Sequence, residues 1–236
     1  MKSILKNMKR STAQLSMSHK FFENKPICVC CNQRIGEEEM EVIENGIGIC
    51  KICFEDFAPV PENSPFEGVE NVDYFLSAFY YNNKMKKLIY RYKFAREEKI
   101  GELLFAMLSD YLKDVKIIDD FDCITPIPLY RKRFLSRGFN QAEILAKGIA
   151  KRLNIPYNNC VHRWRETKTQ SLLKKADRGK NTNGAFIADK TRVKDKKILL
   201  VDDVITTGAT MNSCAEELRQ KGAKKVVGVS LSKRNF

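Results

Sequence analysis

The sequence predicts an α/β fold on a parallel sheet, preceded by a small cysteine module. Near the C-terminus, a strand pattern over Lys197 to Val201, a helical pattern from Thr210 to Lys221 closed by Gly222, and a second strand over Val226 to Leu231 make a βαβ unit. Well upstream lie two Cys-x-x-Cys pairs. The 236 residues suffice for one medium domain with a small appendage. Apolar residues, 43% of the chain, fall in short runs, none near the roughly eighteen positions that crossing a membrane requires.

Lysine and arginine number 42 against 29 acids, a net charge of +13. That excess favours anionic partners such as phosphates or nucleic acid, and it equally fits a generally basic surface. Residues 1–25 read as a flexible basic tail: Lys2, Lys6, Lys9, Arg10, Lys20 and Lys25 stand against Glu23, without the apolar core of an export signal. Met8 and Met17 leave room for a later start codon. The expected location is the cytoplasm, with no membrane insertion; thiols stay reduced there, and paired cysteines more often hold metal than form disulfides.

Residues 26–58 form the predicted cysteine module. Cys28 and Cys31, then Cys50 and Cys53, are close pairs separated by eighteen residues, the spacing of two knuckles folding onto one tetrahedral Zn²⁺. Gly36, Asn45-Gly46 and Gly48 supply the turns of a hairpin that brings the pairs together. Four thiolates leave no open position on the metal, so its expected role is structural; a dithiol redox site is the alternative. Cys30 is a further sulfur beside the first pair, but two-residue spacing favours Cys28 with Cys31. Cys123, Cys160 and Cys214 are isolated and read as packed thiols.

Residues 59–66, with Pro59, Pro61 and Pro65, read as a linker into a domain over 67–236. Met85, Leu88, Ile89 and Tyr92 recur at helical spacing and leave Lys86, Lys87, Arg91 and Lys93 for the other side. This helix is either a packing helix with a solvated face or a basic, aromatic track for nucleic acid. Gly101 to Leu112 predicts another helix, and Asp122 to Thr125 a short buried strand ended by Pro126 and Pro128. A further helix is expected from Ala142 to Leu153, with Asn140 as its cap, Glu143 returning the bond, and Pro156 stopping it. In His162-Arg163-Trp164-Arg165 the tryptophan is expected to pack over the sheet, a stacking site for a base being the alternative.

The connection after the Lys197 strand, Val201-Asp202-Asp203-Val204-Ile205-Thr206-Thr207-Gly208-Ala209-Thr210, carries the chemistry. A strand that leads through threonines and Gly208 into a helix start offers backbone N–H groups, hydroxyls and the positive end of the helix dipole to a phosphate. No Gly-Lys-Ser/Thr ending is present, which excludes the phosphate loop of an ATPase. Asp202 and Asp203 would repel a bare anion; ribose hydroxyls suit them, with Mg²⁺ offsetting the charge.

This decapeptide resembles the phosphoribosyl-pyrophosphate motif of type I phosphoribosyltransferases, and other segments narrow the likeness to the ComF family of competence and DNA-uptake proteins. Pro126-Ile127-Pro128-Leu129 with Arg133 and Arg137-Gly138-Phe139-Asn140-Gln141 is similar to that family's pyrophosphate-loop region. Arg163, Thr167, Gln170, Arg178, Asn181 and Ala185-Phe186 match its middle pattern, and the cysteine ribbon matches as well. The resemblance implies a type I phosphoribosyltransferase fold with an N-terminal four-cysteine zinc ribbon.

It also implies Mg²⁺ and phosphoribosyl pyrophosphate as ligands, Asp202 and Asp203 on the ribose hydroxyls, and the 5′-phosphate against Val204, Thr206, Thr207, Gly208, Ala209 and Thr210. Pro128, Leu129, Arg133 and Arg137 are expected at the pyrophosphate. Many type I enzymes carry a basic residue where this chain has Leu129 and Tyr130, with Arg131, Lys132 and Arg133 following, so which cation meets the pyrophosphate stays open, the alternative for Arg133 and Arg137 being surface charges near a helix start. As an enzyme, the chain would rely on Asp202, Asp203 and Arg137 for catalysis by positioning and electrostatics, with the acceptor unassigned. It begins Met1-Lys2 and shows no glutaminase domain, which argues against glutamine-driven chemistry. The rival reading is a non-catalytic module that senses phosphoribosyl pyrophosphate and binds single-stranded DNA or a helicase-like DNA-uptake partner.

Overall fold

A computed structural model describes residues 25–61, 69–94, 97–115, 120–165 and 184–234. The basic tail through residue 24, positions 62–66 of the expected linker, and Thr167, Gln170, Arg178 and Asn181 lie outside the described residues.

Four parallel strands form the main sheet, in the order β4-β9-β8-β5: β4 (Tyr74–Tyr80), β5 (Cys123–Pro126), β8 (Lys197–Ile205) and β9 (Lys225–Lys233). Parallel strands are covered on both faces, and β8 shows how the sequence meets that demand. Its Leu199 and Val201 face one core with Leu103, Leu104 and Met107 of α3 (Glu98–Asp114) and Leu145 and Ile149 of α5 (Gln141–Leu153). Its Ile198 and Leu200 face another with Met211, Cys214 and Leu218 of α7 (Ala209–Gln220).

Both outer strands are closed by short pairings. At β5, the Ile124 N–H donates to Pro156 O at 2.8 Å and the Asn158 N–H to Ile124 O at 2.9 Å. At β4, the Val60 N–H donates to Ala78 O at 3.0 Å and the Tyr80 N–H to Ala58 O at 2.8 Å, so the chain leaving the cysteine module runs along the sheet edge.

The cysteine module is a three-stranded sheet, β1 (Ile27–Cys28), β2 (Met40–Glu44) and β3 (Ile47–Cys50), followed by α1 (Lys51–Phe54). Asn45 at φ 49° and Gly46 at φ 80° turn the β2–β3 hairpin, as the Asn-Gly dipeptide predicts. Its apolar residues share one core with the larger domain, where Phe54, Phe57 and Phe79 pack with ring centroids 5.8 to 6.1 Å apart. Polar contacts join the two as well. The Arg91 guanidinium donates to Val29 O at 2.5 Å and to Glu97, Arg152 meets Glu44 at 3.0 Å, and Lys84 meets Asp56 at 2.7 Å.

Two boundaries differ from the sequence pattern in informative ways. The strand expected to end at Val201 runs to Ile205, because Asp202 and Val204 stay in register with Ser230 and Ser232 of β9. Asn140 caps α5 by accepting from the Ala142 N–H at 3.2 Å, but Glu143 pairs with Lys147 at 2.7 Å and accepts from the Tyr157 hydroxyl instead of returning to the cap.

Candidate functional site

The carboxyl ends of the central strands meet at one place. β8 delivers Asp202 and Asp203 still in strand geometry, and the turn after it is only Thr206 to Gly208. Gly208 sits at φ 74°, ψ −15°, a left-handed conformation that suits glycine, and its carbonyl accepts from the Asn212 N–H at 2.8 Å as α7 begins. Asp202 and every residue from Val204 to Met211 bound a cavity of about 30 Å³. Strand end, tight turn and the N-terminus of a twelve-residue helix thus surround this small cavity, with Thr206, Thr207, Ala209 and Thr210 on its wall.

Cationic side chains ring the acid pair. Lys93, in the last turn of α2 (Asn83–Phe94), forms an ion pair with the Asp203 carboxylate, both side chains being largely buried. The Asp203 N–H donates to Asp202 Oδ1 at 2.8 Å, which ties the two acids together. Burial works against the charged form of Asp203, but the charge and hydrogen bond of Lys93, backed by Arg137, hold its carboxyl below the ordinary carboxylate range. Burial and the adjacent negative Asp203 push Asp202 well above that range. The pair therefore combines a strong acceptor with a carboxyl inclined to keep its proton.

Arg137 ends α4 (Arg131–Arg137) and is turned by Gly138 at φ 86°. Its guanidinium donates to the Gln141 side chain and lies 5.3 Å from the Phe94 ring centroid. Burial lowers its pKa, opposed by the nearby Asp203. Arg163, on β6 (Val161–Arg163), behaves alike: burial and the charge of Arg133 lower its pKa, and Asp202 opposes them. Arg133 is exposed, and its charge reaches both Arg137 and Arg163.

Pro128 and Leu129 stand half-buried beside this end of β8, because the preceding Ile127 N–H donates to Val201 O at 2.8 Å. Asn140 fixes the same loop by donating to Ile127 O at 3.1 Å. Next to it opens a cleft of about 220 Å³ lined by Tyr92, Glu98, Arg137, Gly138, Phe139 and Ile144.

Sequence reasoning missed Lys93, which it placed on the solvent side of its helix. A signal existed, since Met85, Ile89 and Lys93 recur every four residues, and Lys93 continues the row of two buried side chains. Trp164 also departs from expectation: it is 58% exposed, held by its indole N–H on Gly184 O at 2.8 Å, and does not pack over the sheet. Its neighbour Arg163 turns inward instead and covers the Phe186 ring of β7 (Phe186–Ala188) at 5.3 Å.

In the cysteine module one ligand atom from each of Cys28, Cys31, Cys50 and Cys53 falls within 4.8 Å of the others. Sulfurs on one tetrahedral zinc lie about 3.8 Å apart, so the set fits a metal of that kind. The Cys50 N–H donates to the Cys28 sulfur and the Cys53 N–H to the Cys50 sulfur, each at 3.4 Å. Against burial, backbone N–H groups of Cys50, Cys31 and Cys30 bring the Cys28 thiol down to about 6, while burial pushes the Cys50 and Cys53 thiols up. Cys30 sits outside the cluster, and burial pushes its thiol up to about 12. Cys123, Cys160 and Cys214 are buried free thiols. No helix among the described residues is long and apolar enough to cross a membrane.

Comparison with known proteins agrees with the fold. Residues 140–235 match the phosphoribosyl transferase domain family, whose fold, a parallel sheet flanked by helices, is the one described above. The chain is 35% identical over 153 residues to Competence protein F of Haemophilus influenzae, covering 62% of this chain and 67% of that protein. It is 34% identical to Competence protein ComFC of Streptococcus pneumoniae, over 65% of each chain. With the DNA utilization protein YhgH of Escherichia coli K12 it shares 31% identity, over 62% of this chain and 66% of the other. The matches thus span about two thirds of the relatives' own lengths.

Proposed function

The chain belongs to the ComF family, and from that premise we propose that it binds Mg²⁺ with phosphoribosyl pyrophosphate at the carboxyl end of β8 and acts in the cytoplasm in DNA uptake. One observation carries the reading: an acid pair in strand geometry leads through a three-residue turn into the start of α7, and buried or half-buried cations face the acids. An anion cradle beside carboxylates that accept from hydroxyls suits a ligand with phosphate at one end and a diol in its middle.

In this reading Thr206 to Thr210 take the 5′-phosphate, while Asp202 and Asp203 accept from the ribose hydroxyls. Their oxygens are also the hard donors that Mg²⁺ prefers, and the metal's chemistry would be to neutralise the pyrophosphate. Arg137, with Arg133 and the loop through Pro128 and Leu129, faces the leaving end. If transfer occurs, these residues act by holding the ribose and stabilising departing negative charge. A structural Zn²⁺ on Cys28, Cys31, Cys50 and Cys53 completes the assignment.

Calorimetry tests it through the Asp202→Asn, Asp203→Asn double variant, with zinc content as a check on folding. Each lost charge-assisted bond costs roughly 1.5 to 3 kcal/mol, or about one to two decades of affinity. Unchanged binding of phosphoribosyl pyrophosphate would remove the central assignment.

A second reading, a module that holds single-stranded DNA without catalysis, draws on the face beside the cleft. Tyr90 and Phe94 are exposed, with ring centroids 4.8 Å apart and planes tilted by 36°, Arg137 lies over Phe94, and α4 is a basic segment with no buried residue. Such rings and cations suit unstacked bases. Binding that falls steeply with salt, and falls further in Tyr90→Ala and Phe94→Ala, is the outcome this reading expects.

A further inference from the structure

Lys93 reaches Asp203 from a different element, on a four-carbon stem, and the pair is nearly closed from solvent, with side-chain exposures of 18% and 11%. The carboxylate oxygen it meets belongs to one of the two acids that a sugar diol would use. The ammonium holds one of the two Asp203 oxygens, so a diol that takes both must displace it. The space around it is already cationic, because Arg137 acts on Asp203 from α4, Arg163 acts on Asp202 from β6, and the charge of Arg133 reaches both arginines. A displaced ammonium there needs a new anion, since bulk water is largely excluded.

Resting on the reading above, we propose that Lys93 is a specificity-determining residue: it plugs the diol site and is released only by a ligand that brings a second anionic group beside the diol. Phosphoribosyl pyrophosphate does so, because its pyrophosphate hangs from the carbon next to the diol, within a stem's reach of Asp203. Ribose 5-phosphate does not; its single phosphate belongs in the Thr206–Thr210 cradle, so it must break the ion pair and offers Lys93 nothing in return. The same residue thus strengthens one ligand and penalises the other. An ordinary binding lysine would strengthen both or only the more charged one, and a purely structural lysine would treat them alike.

Direct titration of phosphoribosyl pyrophosphate and of ribose 5-phosphate, each with Mg²⁺, into the parent, Lys93→Met and Lys93→Arg proteins tests this. Zinc content and the unfolding transition verify that each variant is folded. The parent is expected to prefer phosphoribosyl pyrophosphate. Lys93→Met should cut that preference about tenfold or more, the scale of one charge-assisted bond, with ribose 5-phosphate bound more tightly than by the parent. Lys93→Arg, which keeps the charge, should keep most of the preference. If Lys93→Met does not fold, Lys93→Gln carries the same comparison. A variant that weakens both ligands, or neither, or weakens phosphoribosyl pyrophosphate and leaves ribose 5-phosphate unchanged, overturns the role given to Lys93. A parent that binds neither ligand overturns the functional reading itself, a different and separable failure.

Discussion

The cysteine cluster and the acid pair both crowd groups able to carry negative charge into buried ground, yet they balance that charge by different means. Around the sulfurs the donors are backbone N–H groups, and the nearby cation, Lys84, is already held by Asp56 at 2.7 Å. Around the carboxylates the partners are side chains from three other elements: Lys93 of α2, Arg137 of α4 and Arg163 of β6. The first arrangement could hold one divalent ion. The second consists of one ion pair, Lys93 with Asp203, and of further cations on long side chains that act through space, an arrangement that suits a site which must admit and release an anionic ligand. Permanence in the module and exchange at the site are the two ends of the comparison.

The largest expected effect tests the permanent end. Three of the four cysteines, Cys28, Cys50 and Cys53, lie in a core continuous with Phe54, Phe57, Phe79, Leu88 and Leu108, so metal removal should propagate beyond the ribbon. Structural zinc supplies about 10 to 16 kcal/mol of apparent folding free energy in zinc-finger peptides, so a loss on the order of 5 kcal/mol or more is expected here. Thermal unfolding with and without a strong chelator, and of Cys50→Ser with its metal content measured, decides it. Should the chelated protein melt like the parent, the cluster is no staple and the comparison collapses.

A smaller effect isolates the exchangeable end. Gly208 adopts φ 74° where the cradle turns into α7, and a β-branched residue resists that conformation by about 1 to 2 kcal/mol. Gly208→Val should retain zinc and fold with modestly lowered stability, while affinity for phosphoribosyl pyrophosphate drops about tenfold or more as the cradle distorts. Equal affinity in the two proteins would mean that the phosphate sits elsewhere.

How much of this was legible depended on whether the signal was local. The cysteine pairs, the Asn45-Gly46 turn, the βαβ unit and the decapeptide are short-range patterns, and each folds as its residues dictate. Lys93 and Arg163 reach the acids only through tertiary structure, from positions 110 and 39 residues before Asp203 and Asp202 respectively. β4, Tyr-Phe-Leu-Ser-Ala-Phe-Tyr, was illegible for another reason. It is buried along most of its length, and an apolar run without alternation carries no period to read. Pairing with β9 also drew Asp202 and Asp203 into the strand, where composition alone suggested a loop.

The smallest effect separates the two acids, which work against each other in stability. Asp202 has a folded pKa raised by burial and by Asp203. Below the unfolded value of about 3.9 both states hold its proton and it costs nothing; as pH rises above that, the unfolded chain ionises first and stability falls until the raised folded pKa is passed. Asp203 has the opposite sign: Lys93 depresses its folded pKa against the cost of burial, so its contribution is present above about 3.9 and is lost as pH falls through the folded value. Asp202→Asn should therefore stabilise the protein at neutral pH, within the ~0.5 to 2 kcal/mol typical of relieving a functional compromise, and the gain should fade toward pH of about 4. The amide oxygen can still accept from the Asp203 N–H, so no backbone donor is orphaned. Asp203→Asn should destabilise at neutral pH, because it leaves Lys93 without its counter-ion, and that deficit should shrink in acid. Urea unfolding of both variants across this range reads the two slopes directly. If Asp202→Asn proved as damaging as Asp203→Asn at neutral pH, both acids would be structural, and the exchangeable balance of charge inferred for this site would be wrong.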